Sequence, residues 1–178
     1  MIFRSTGIGD VWVIEPERFE DERGFFARTW DTGEFEQRGL SGRLVQCSIS
    51  HNGHRGTLRG LHYQAAPHEE AKLVRCTAGA IFDVAVDLRP DSPTYARWFG
   101  VELSADNRLA LYIPEGCAHG FLTLADDSEV LYQISELWAP DAARGARFDD
   151  PAFAIDWPGE VVVINDRDRS YADFEVGS

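Results

Sequence analysis

Three short polar segments lie among apolar residues and carry side chains suited to chemistry. They are Arg59-Gly60-Leu61-His62-Tyr63-Gln64, Lys72-Leu73-Val74-Arg75 and Pro114-Glu115-Gly116-Cys117-Ala118-His119-Gly120-Phe121. A histidine can take up or release a proton near neutral pH, because its unperturbed pKa is about 6.5. A histidine within a strand can equally be a hydrogen-bonded core residue. Three such segments in one small chain favour a functional site that contains His62 and His119.

Lysine usage singles out one further position. Sixteen of the seventeen basic residues are arginine, and the remaining one is Lys72. A guanidinium is planar and hard to deprotonate, whereas an ammonium is a compact point charge with a tunable pKa, so the two are not interchangeable where the second is needed. We therefore expect Lys72 to be a specific ammonium donor. Chance retention at a solvated position is the alternative.

Composition bounds the possible functions. The 178 residues suffice for one domain, 1–178, and no apolar run reaches the ~20 residues of a membrane span. The net charge of −13 disfavours nucleic acid and anionic membranes as partners. The N-terminus does not read as a secretory signal, and three cysteines without Cys-x-x-Cys spacing argue against a disulfide framework or structural zinc. We expect a cytoplasmic protein whose phosphorylated ligands would need a local arginine cluster.

Short alternating segments, separated by Gly, Pro, Asp and Asn, predict an all-β sandwich or barrel. The predicted strands are 10–15, 24–30, 43–50, 57–64, 71–77, 80–88, 97–103, 108–113, 120–124 and 128–135. Segment 31–39 is the one predicted helix, with Asp31 or Thr32 as its cap. From Pro140 onward we expect irregular structure with short helical turns that wraps the body.

Local spacing leaves the chemistry of the histidines open. In a regular strand, Arg59 and His62 lie on opposite faces, whereas His62 and Gln64 share one. The spacing of Pro114, Gly116 and His119 resembles the second motif of the cupin barrels. Metal-binding cupins carry His-x-His in the first motif, where this chain has His62-x-Gln64, so a metal site is disfavoured. A set of His62, Gln64 and His119 remains possible.

Taken together, the motifs resemble the dTDP-4-dehydrorhamnose 3,5-epimerase family along nearly the whole chain. The matching text includes Asp21-Glu22-Arg23-Gly24-Phe25-Phe26, Leu58-Arg59-Gly60-Leu61-His62-Tyr63-Gln64, Lys72-Leu73-Val74-Arg75, Asp87-Leu88-Arg89, Ser92-Pro93-Thr94, Ile113-Pro114-Glu115-Gly116, Leu131-Tyr132, Asp149-Asp150-Pro151 and Arg167-Asp168. The resemblance implies a cupin-like jelly-roll β-barrel with a few short helices. It also implies an isomerase that inverts C3, C5 or both in a nucleotide-linked 4-keto-6-deoxyhexose, without a cofactor.

The same resemblance implies roles for individual residues. A keto group at C4 acidifies the hydrogens on C3 and C5, so inversion needs a base on one face, an acid on the other and a cation at the enolate oxygen. His62 matches the base and Tyr132 the acid. Asp168 matches the carboxylate that fixes the histidine, with Asp83 as the fallback. Lys72 and His119 would face the oxyanion.

The nucleotide end of the site is expected to involve a further group of side chains. The expected residues are Arg23, Phe26, Arg28, Gln46, Ser48, Arg59, Trp138 and Arg167. The family implies a homodimer in which Arg23 and Phe26 reach a neighbouring subunit. The chain differs from the residues that are usual in the family at four places: Arg28, Cys47-Ser48, Ala143 and Trp138. Arg28 could therefore meet a base other than thymine, and GDP, CDP or UDP carriers stay open.

Three other functions compete with this one. A metal-dependent cupin oxygenase or isomerase would use His62, Gln64 and His119. A non-catalytic barrel that binds sugar nucleotides would leave Tyr132 and Lys72 unexplained. A ketoisomerase that moves the carbonyl between C4 and C3 would use closely related chemistry.

Overall fold

In the computed structural model, which describes residues 1–175, the chain forms thirteen strands and two short α-helices. The strands are β1 (Ile2–Ser5), β2 (Trp12–Glu15), β3 (Arg18–Asp21), β4 (Gly24–Ala27), β5 (Gln46–Asn52), β6 (Leu58–Gln64), β7 (Lys72–Ala78), β8 (Ala80–Asp87), β9 (Trp98–Ser104), β10 (Ala110–Ile113), β11 (Cys117–Thr123), β12 (Ser128–Ile134) and β13 (Ala143–Gly145). The helices are α1 (Thr32–Glu36) and α2 (Asp166–Arg169), and a 3-10 turn covers Pro140–Ala142.

Two antiparallel sheets pack face to face. One has the strand order β1-β2-β10-β7-β12-β5 and the other β13-β6-β11-β8-β9, while β3 and β4 form a separate hairpin. One core cluster contains Val74 and Leu111 of the six-stranded sheet together with Ile81, Ala85 and Phe121 of the five-stranded sheet. Apolar side chains from both inner faces therefore form the main core, as in a β-sandwich. The predicted cupin-like jelly roll is confirmed.

Strand β8 is buried on both faces. Val84 and Val86 point outward and pack with Ala146 and Phe153 of the C-terminal segment. The alternate residues face the main core, and Asp83 among them is fully buried. The C-terminal segment thus covers the outer face of the five-stranded sheet, as the sequence predicts for the residues after 140.

The outer face of the six-stranded sheet is covered by α1. Asp31 caps this helix by accepting a hydrogen bond from the Glu34 amide, at 3.1 Å. Phe35 is fully buried and its ring lies 5.6 Å from that of Tyr112. Truncating such a phenylalanine to alanine costs about 3–5 kcal/mol, so packing rather than length stabilises the helix. The helix ends earlier than predicted because the Arg38 and Gly39 amides donate to carbonyls only three residues back, and Gly39 follows at φ +71°.

A buried carboxylate fixes the loop that follows β8. Asp87 accepts hydrogen bonds from Arg89 Nε at 2.8 Å, from Ser92 Oγ at 2.6 Å and from Thr94 Oγ1 at 2.7 Å. Burial opposes ionisation of Asp87, but these hydrogen bonds outweigh it and lower the pKa to about 2. The Asp-Leu-Arg and Ser-Pro-Thr motifs therefore form one structural unit.

All ten predicted strands are present, with shifted ends. The strand predicted at 24–30 ends at Ala27, and the one predicted at 120–124 begins already at Cys117. Prediction missed β1, β3 and β13. Two of these are edge strands and the third lies in an exposed hairpin, so none shows a clear apolar alternation. Within residues 1–175, no helix is both long and apolar enough to cross a membrane.

Candidate active site

A cavity of about 410 Å³ opens between the two sheets. The six-stranded sheet lines it from β5, β7 and β12, and the five-stranded sheet lines it from β6, β11 and β13. Ten of the thirteen predicted site residues line this cavity: Gln46, Ser48, Arg59, His62, Lys72, His119, Tyr132, Trp138, Arg167 and Asp168. The three segments singled out by the sequence thus meet in one place.

His62 and Asp168 form a hydrogen-bonded pair at one wall of the cavity. The distance from His62 Nε2 to Asp168 Oδ1 is 2.7 Å, and Asp168 Oδ2 accepts the Gly60 amide at 3.0 Å. Helix α2, which Asn165 caps by accepting from the Asp168 amide, positions the carboxylate against β6. Burial opposes ionisation of Asp168, but the hydrogen bonds from His62 and Gly60 outweigh it and lower its pKa. An ionised Asp168 keeps the proton on Nε2 and leaves Nδ1 free to act as a base.

The expectation that Arg59 and His62 lie on opposite faces is wrong. His119 pairs with His62 and Phe121 pairs with Arg59, so two residues of β6 stand opposite one residue of β11. Such a bulge shifts the alternation by one residue and turns both side chains toward the cavity. Gly60 occupies the bulge at φ +131°, where an added Cβ would lie 2.5 Å from the Cα of Gly120. Only glycine fits this close approach of two strands.

Arg59 is held in place by Asn52 at the end of β5, in the opposite sheet. Its Nε donates to Asn52 Oδ1 at 2.7 Å, which leaves the outer guanidinium nitrogens for a ligand. Arg144 and Arg167 line the same cavity, so a cationic site lies in a chain whose net charge is −13. A local group of guanidinium ions suits a diphosphate, which they can bind with paired N–H donors. Arg144 was not among the predicted site residues, because its edge strand β13 was not predicted.

Lys72 lies at the start of β7 with its side chain 9% exposed. Its ammonium lies 2.8 Å from Glu70 Oε1, and it donates to the backbone carbonyl of His62 at 3.3 Å. The predicted ammonium is thus buried beside the candidate base. Glu70 also lines the cavity and was not among the predicted site residues.

His119 forms a second histidine–carboxylate pair. Its Nε2 lies 2.7 Å from Asp83 Oδ1, and both side chains are almost completely buried. Burial raises the pKa of Asp83, and His119 and Lys72 offset part of that increase. Asp83, which was the fallback partner for His62, therefore pairs with His119 instead. In the described chain the second oxygen of Asp83 has no hydrogen-bond partner.

Tyr132 lies on β12, in the sheet opposite that of His62. Its hydroxyl is 3.1 Å from Ser50 Oγ, and its ring centroid is 6.1 Å from that of His119. Burial raises the pKa of Tyr132 to about 12, although the hydrogen bond with Ser50 opposes the increase. The side chain therefore stays a neutral phenol near pH 7 and can donate a proton.

The rim of the cavity carries an exposed aromatic residue. Trp138 is 56% exposed, and its backbone amide donates to Gln46 Oε1 at 2.5 Å. Ser48 lies two residues further along β5 and faces the cavity, whereas Cys47 between them is exposed. This end of the cavity offers a flat ring and neutral polar groups.

Gln64 is occupied by the backbone. Its amide nitrogen donates to the carbonyls of His68 and Leu137, and its oxygen accepts the Ala139 amide at 2.7 Å. It therefore fixes the loop that carries Trp138. Within residues 1–175, no three His, Cys, Asp or Glu side chains come together in a way that could hold a metal ion. The donor set does not fit the metal site that was left open for His62, Gln64 and His119.

The remaining three predicted residues lie outside this cavity. Arg23 and Phe26 belong to the β3–β4 hairpin, where Arg23 pairs with Asp21 and Phe26 is 66% exposed. Arg28 pairs with Asp31 at 2.8 Å and lines a smaller cavity beside Phe26. Within its own chain, the hairpin is therefore not part of the site.

Comparison with known proteins identifies the family. A sequence profile described as dTDP-4-dehydrorhamnose 3,5-epimerase matches residues 5–175. A relative of that name from Methanothermobacter thermautotrophicus is 46% identical over 172 residues, which cover 95% of this chain and 92% of the relative. A solved dTDP-4-dehydrorhamnose 3,5-epimerase from Elizabethkingia anophelis superposes with a TM-score of 0.95 at 38% identity, covering 98% of this chain and 96% of that one. The dTDP-6-deoxy-D-glucose-3,5-epimerase from Legionella pneumophila, solved in complex with dTDP-4-keto-L-rhamnose, gives 0.86 at 40% identity, covering 94% and 89%. The chain therefore belongs to the dTDP-4-dehydrorhamnose 3,5-epimerase family and is an isomerase of the epimerase class.

Proposed function

We propose that this protein inverts the carbons next to the keto group of a dTDP-linked 4-keto-6-deoxyhexose. The observation that carries the proposal is the position of His62 and Tyr132 on opposite sheets that line one cavity. Inversion requires a proton to leave from one face of the sugar and to return from the other. A ring lying between the sheets would meet a base on one side and an acid on the other.

His62 acts as the base in this proposal. Asp168 accepts a hydrogen bond from the Nε2–H group and stabilises the imidazolium that forms when Nδ1 takes a proton from C3 or C5. Tyr132 delivers a proton from the opposite wall, and its raised pKa keeps it protonated while it waits. The proton count balances without any change in oxidation state, so the reaction needs no cofactor.

Lys72 and His119 stabilise the intermediate. Loss of a proton beside the keto group places negative charge on the C4 oxygen, and a buried cation lowers the energy of that enolate more than a solvated one would. Lys72 supplies the charge from the six-stranded sheet, and His119 lies beside it on the sheet that also carries His62, with its ring centroid 6.1 Å from that of Tyr132.

The diphosphate and the nucleobase of the substrate bind at the arginine-lined end and the rim of the cavity. Three arginines are suited to the diphosphate: Arg59, Arg144 and Arg167. The nucleobase would lie at the rim, which is formed by Gln46, Ser48 and Trp138. The Legionella relative holds a dTDP-linked keto sugar, which favours thymidine as the carrier here too. A titration with dTDP, GDP, CDP and UDP measures this preference, and we expect dTDP to bind most tightly.

We further propose a homodimer in which the hairpin of each subunit reaches the cavity of the other. Phe19 and Phe26 on the hairpin are 62% and 66% exposed, and Ile49 on the outer face of β5 is 65% exposed. Arg23 and Phe26 would then contact the substrate bound to the other subunit, with Arg28 beside them. Sedimentation measures the assembly, and Arg23→Ala should raise KM.

The free thiols of the three cysteines suit a reducing cytoplasm.

Deuterium exchange tests the chemistry directly. The wild type should exchange hydrogen at C3, C5 or both of dTDP-4-keto-6-deoxyglucose in D2O with chelator present, and His62→Ala should abolish that exchange. His54→Ala is the matched control, because this histidine is exposed and bonds through its backbone carbonyl. Exchange that required an added metal, or that persisted in His62→Ala, would contradict the proposal.

A further inference from the structure

We propose that Glu70 is a positioning residue for Lys72 and fixes the ammonium at the place where the enolate oxygen forms. The inference rests on the proposed function of the cavity and concerns a residue to which neither motif nor spacing assigned a role. Glu70 and Lys72 are 10% and 9% exposed, and 2.8 Å separates Glu70 Oε1 from Lys72 Nζ. Both side chains line the cavity, and in residues 1–175 no other acidic side chain lies within ion-pair distance of the Lys72 ammonium.

The backbone that directly follows Glu70 is fixed by hydrogen bonds and by strand pairing. The Ala71 amide donates to Ser135 Oγ at 2.8 Å, and the Ser135 amide donates to the Ala71 carbonyl at 3.0 Å. Lys72 is already the first residue of β7 and pairs with Ile113 and Ile134 on the two adjacent strands. Residues two apart on an extended chain point to the same side, so Glu70 and Lys72 project together. The carboxylate therefore sits on a rigid support.

The two contacts of the Lys72 ammonium leave its third N–H donor for the substrate. An ammonium carries three N–H donors, and here the Glu70 carboxylate and the His62 carbonyl lie against it. A four-carbon side chain would otherwise have many rotamers, and choosing one of them costs conformational entropy. With two partners in place before substrate arrives, the ammonium is oriented in advance toward the cavity.

Glu70 has two effects on the reaction, and they oppose each other. Its position favours stabilisation of the oxyanion, whereas its negative charge disfavours the build-up of negative charge nearby. The two effects can be separated because Gln keeps the length and an acceptor oxygen without the charge, and Asp keeps the charge but is shorter by one methylene. A positioning role makes length the decisive property.

The experiment compares Glu70→Gln, Glu70→Asp and the control Glu69→Asp in the exchange assay. Glu69 does not line the cavity, so its variant should match the wild type. We expect Glu70→Asp to lower kcat about 10- to 100-fold with KM changed less than about threefold, because misplacing a catalytic group by ~1 Å costs rate on this scale. Glu70→Gln should stay within about fivefold of the wild type. Both variants retain a polar partner for the buried ammonium, and thermal unfolding verifies that each is folded.

A double-mutant cycle tests whether Glu70 acts through Lys72. If it does, Glu70→Asp should reduce the rate no further once Lys72→Ala is present, because coupled residues are not additive. A wild-type rate in Glu70→Asp, a loss in Glu70→Gln as large as in Glu70→Asp, or additive losses in the double variant would overturn the inference. Failure of the proposed function looks different, because the wild type itself would then show no exchange or Lys72→Ala would leave it unchanged.

Discussion

Replacing Asp168 with asparagine should change which nitrogen of His62 carries the proton. Asp168 uses both oxygens as acceptors, one for His62 Nε2 at 2.7 Å and one for the Gly60 amide at 3.0 Å. Asparagine offers only one acceptor oxygen, and its amide nitrogen is a donor. If the oxygen faces Gly60, the amide nitrogen donates to His62 Nε2 and the histidine proton must move to Nδ1. The base would then be blocked.

The size of the effect follows from the two possible orientations. Turning the oxygen toward His62 instead leaves the buried Gly60 amide facing a donor, which costs about 1–3 kcal/mol. The blocked orientation is therefore favoured. A triad carboxylate replaced in this way loses about 10⁴-fold in rate through the wrong tautomer, and we expect a 10³- to 10⁴-fold loss in kcat here, where ~1.36 kcal/mol corresponds to each tenfold.

Solvent exchange at C3 and C5 followed by NMR measures the rate, and ¹⁵N shifts of His62 report the protonated nitrogen. Asp166→Asn is the matched control, since Asp166 is exposed on the same helix and should remain near the wild-type rate. An Asp168→Asn enzyme that is folded and retains more than about one tenth of the wild-type kcat would refute the tautomer argument.

Three further changes give distinct expected outcomes. Asp87→Asn should lower the free energy of unfolding at pH 7 by about 1–2 kcal/mol, because a carboxylate with a lowered pKa stabilises the fold above its unfolded pKa. In urea titrations, the difference in free energy of unfolding between the wild type and Asp87→Asn should shrink as the pH falls from 3.8 toward about 2. A difference that stayed constant over this range would contradict the prediction. Tyr132→Phe should still admit deuterium through the base but lower the yield of inverted sugar about 10²- to 10⁴-fold; equal loss of both would argue against Tyr132 as the acid. Gly60→Ala places a Cβ 2.5 Å from the backbone of Gly120 and should lower the Tm and the rate together, whereas Gly53→Ala, with open space around it, should change neither.

The site could be predicted from sequence where local motifs carry it. Short sequence motifs contain His62, Lys72 and His119, and period-two alternation located the strands that carry them. Arg59 was assigned to the wrong face because the bulge at Gly60 depends on how β6 pairs with β11. A one-residue shift of this kind reverses the face of a strand, and single-strand alternation contains no sign of it.

The carboxylate partners of the histidines could not be predicted from local spacing: the family resemblance implied Asp168 for His62, and Asp83 was expected only as a fallback for His62. Asp83 pairs with His119 because β8 and β11 are adjacent, and Asp168 reaches His62 because α2 folds back on β6. Both contacts join residues that are far apart in the chain, so they depend on topology rather than spacing. The ion pair of Glu70 with Lys72 is local, yet it becomes significant only once both residues are known to be buried.

The two histidine–carboxylate pairs differ in two respects that select the base. Asp168 receives hydrogen bonds on both oxygens and its pKa is lowered, so it remains ionised and stabilises an imidazolium at His62. Asp83 is fully buried and its pKa is raised, so it supports a charge on His119 less well. His62 is also 40% exposed, which lets it reach a substrate and exchange its proton with solvent, whereas His119 is only 5% exposed. A base must gain a proton from substrate and lose it again within one turnover, and only the pair on β6 combines a firmly ionised partner with that access.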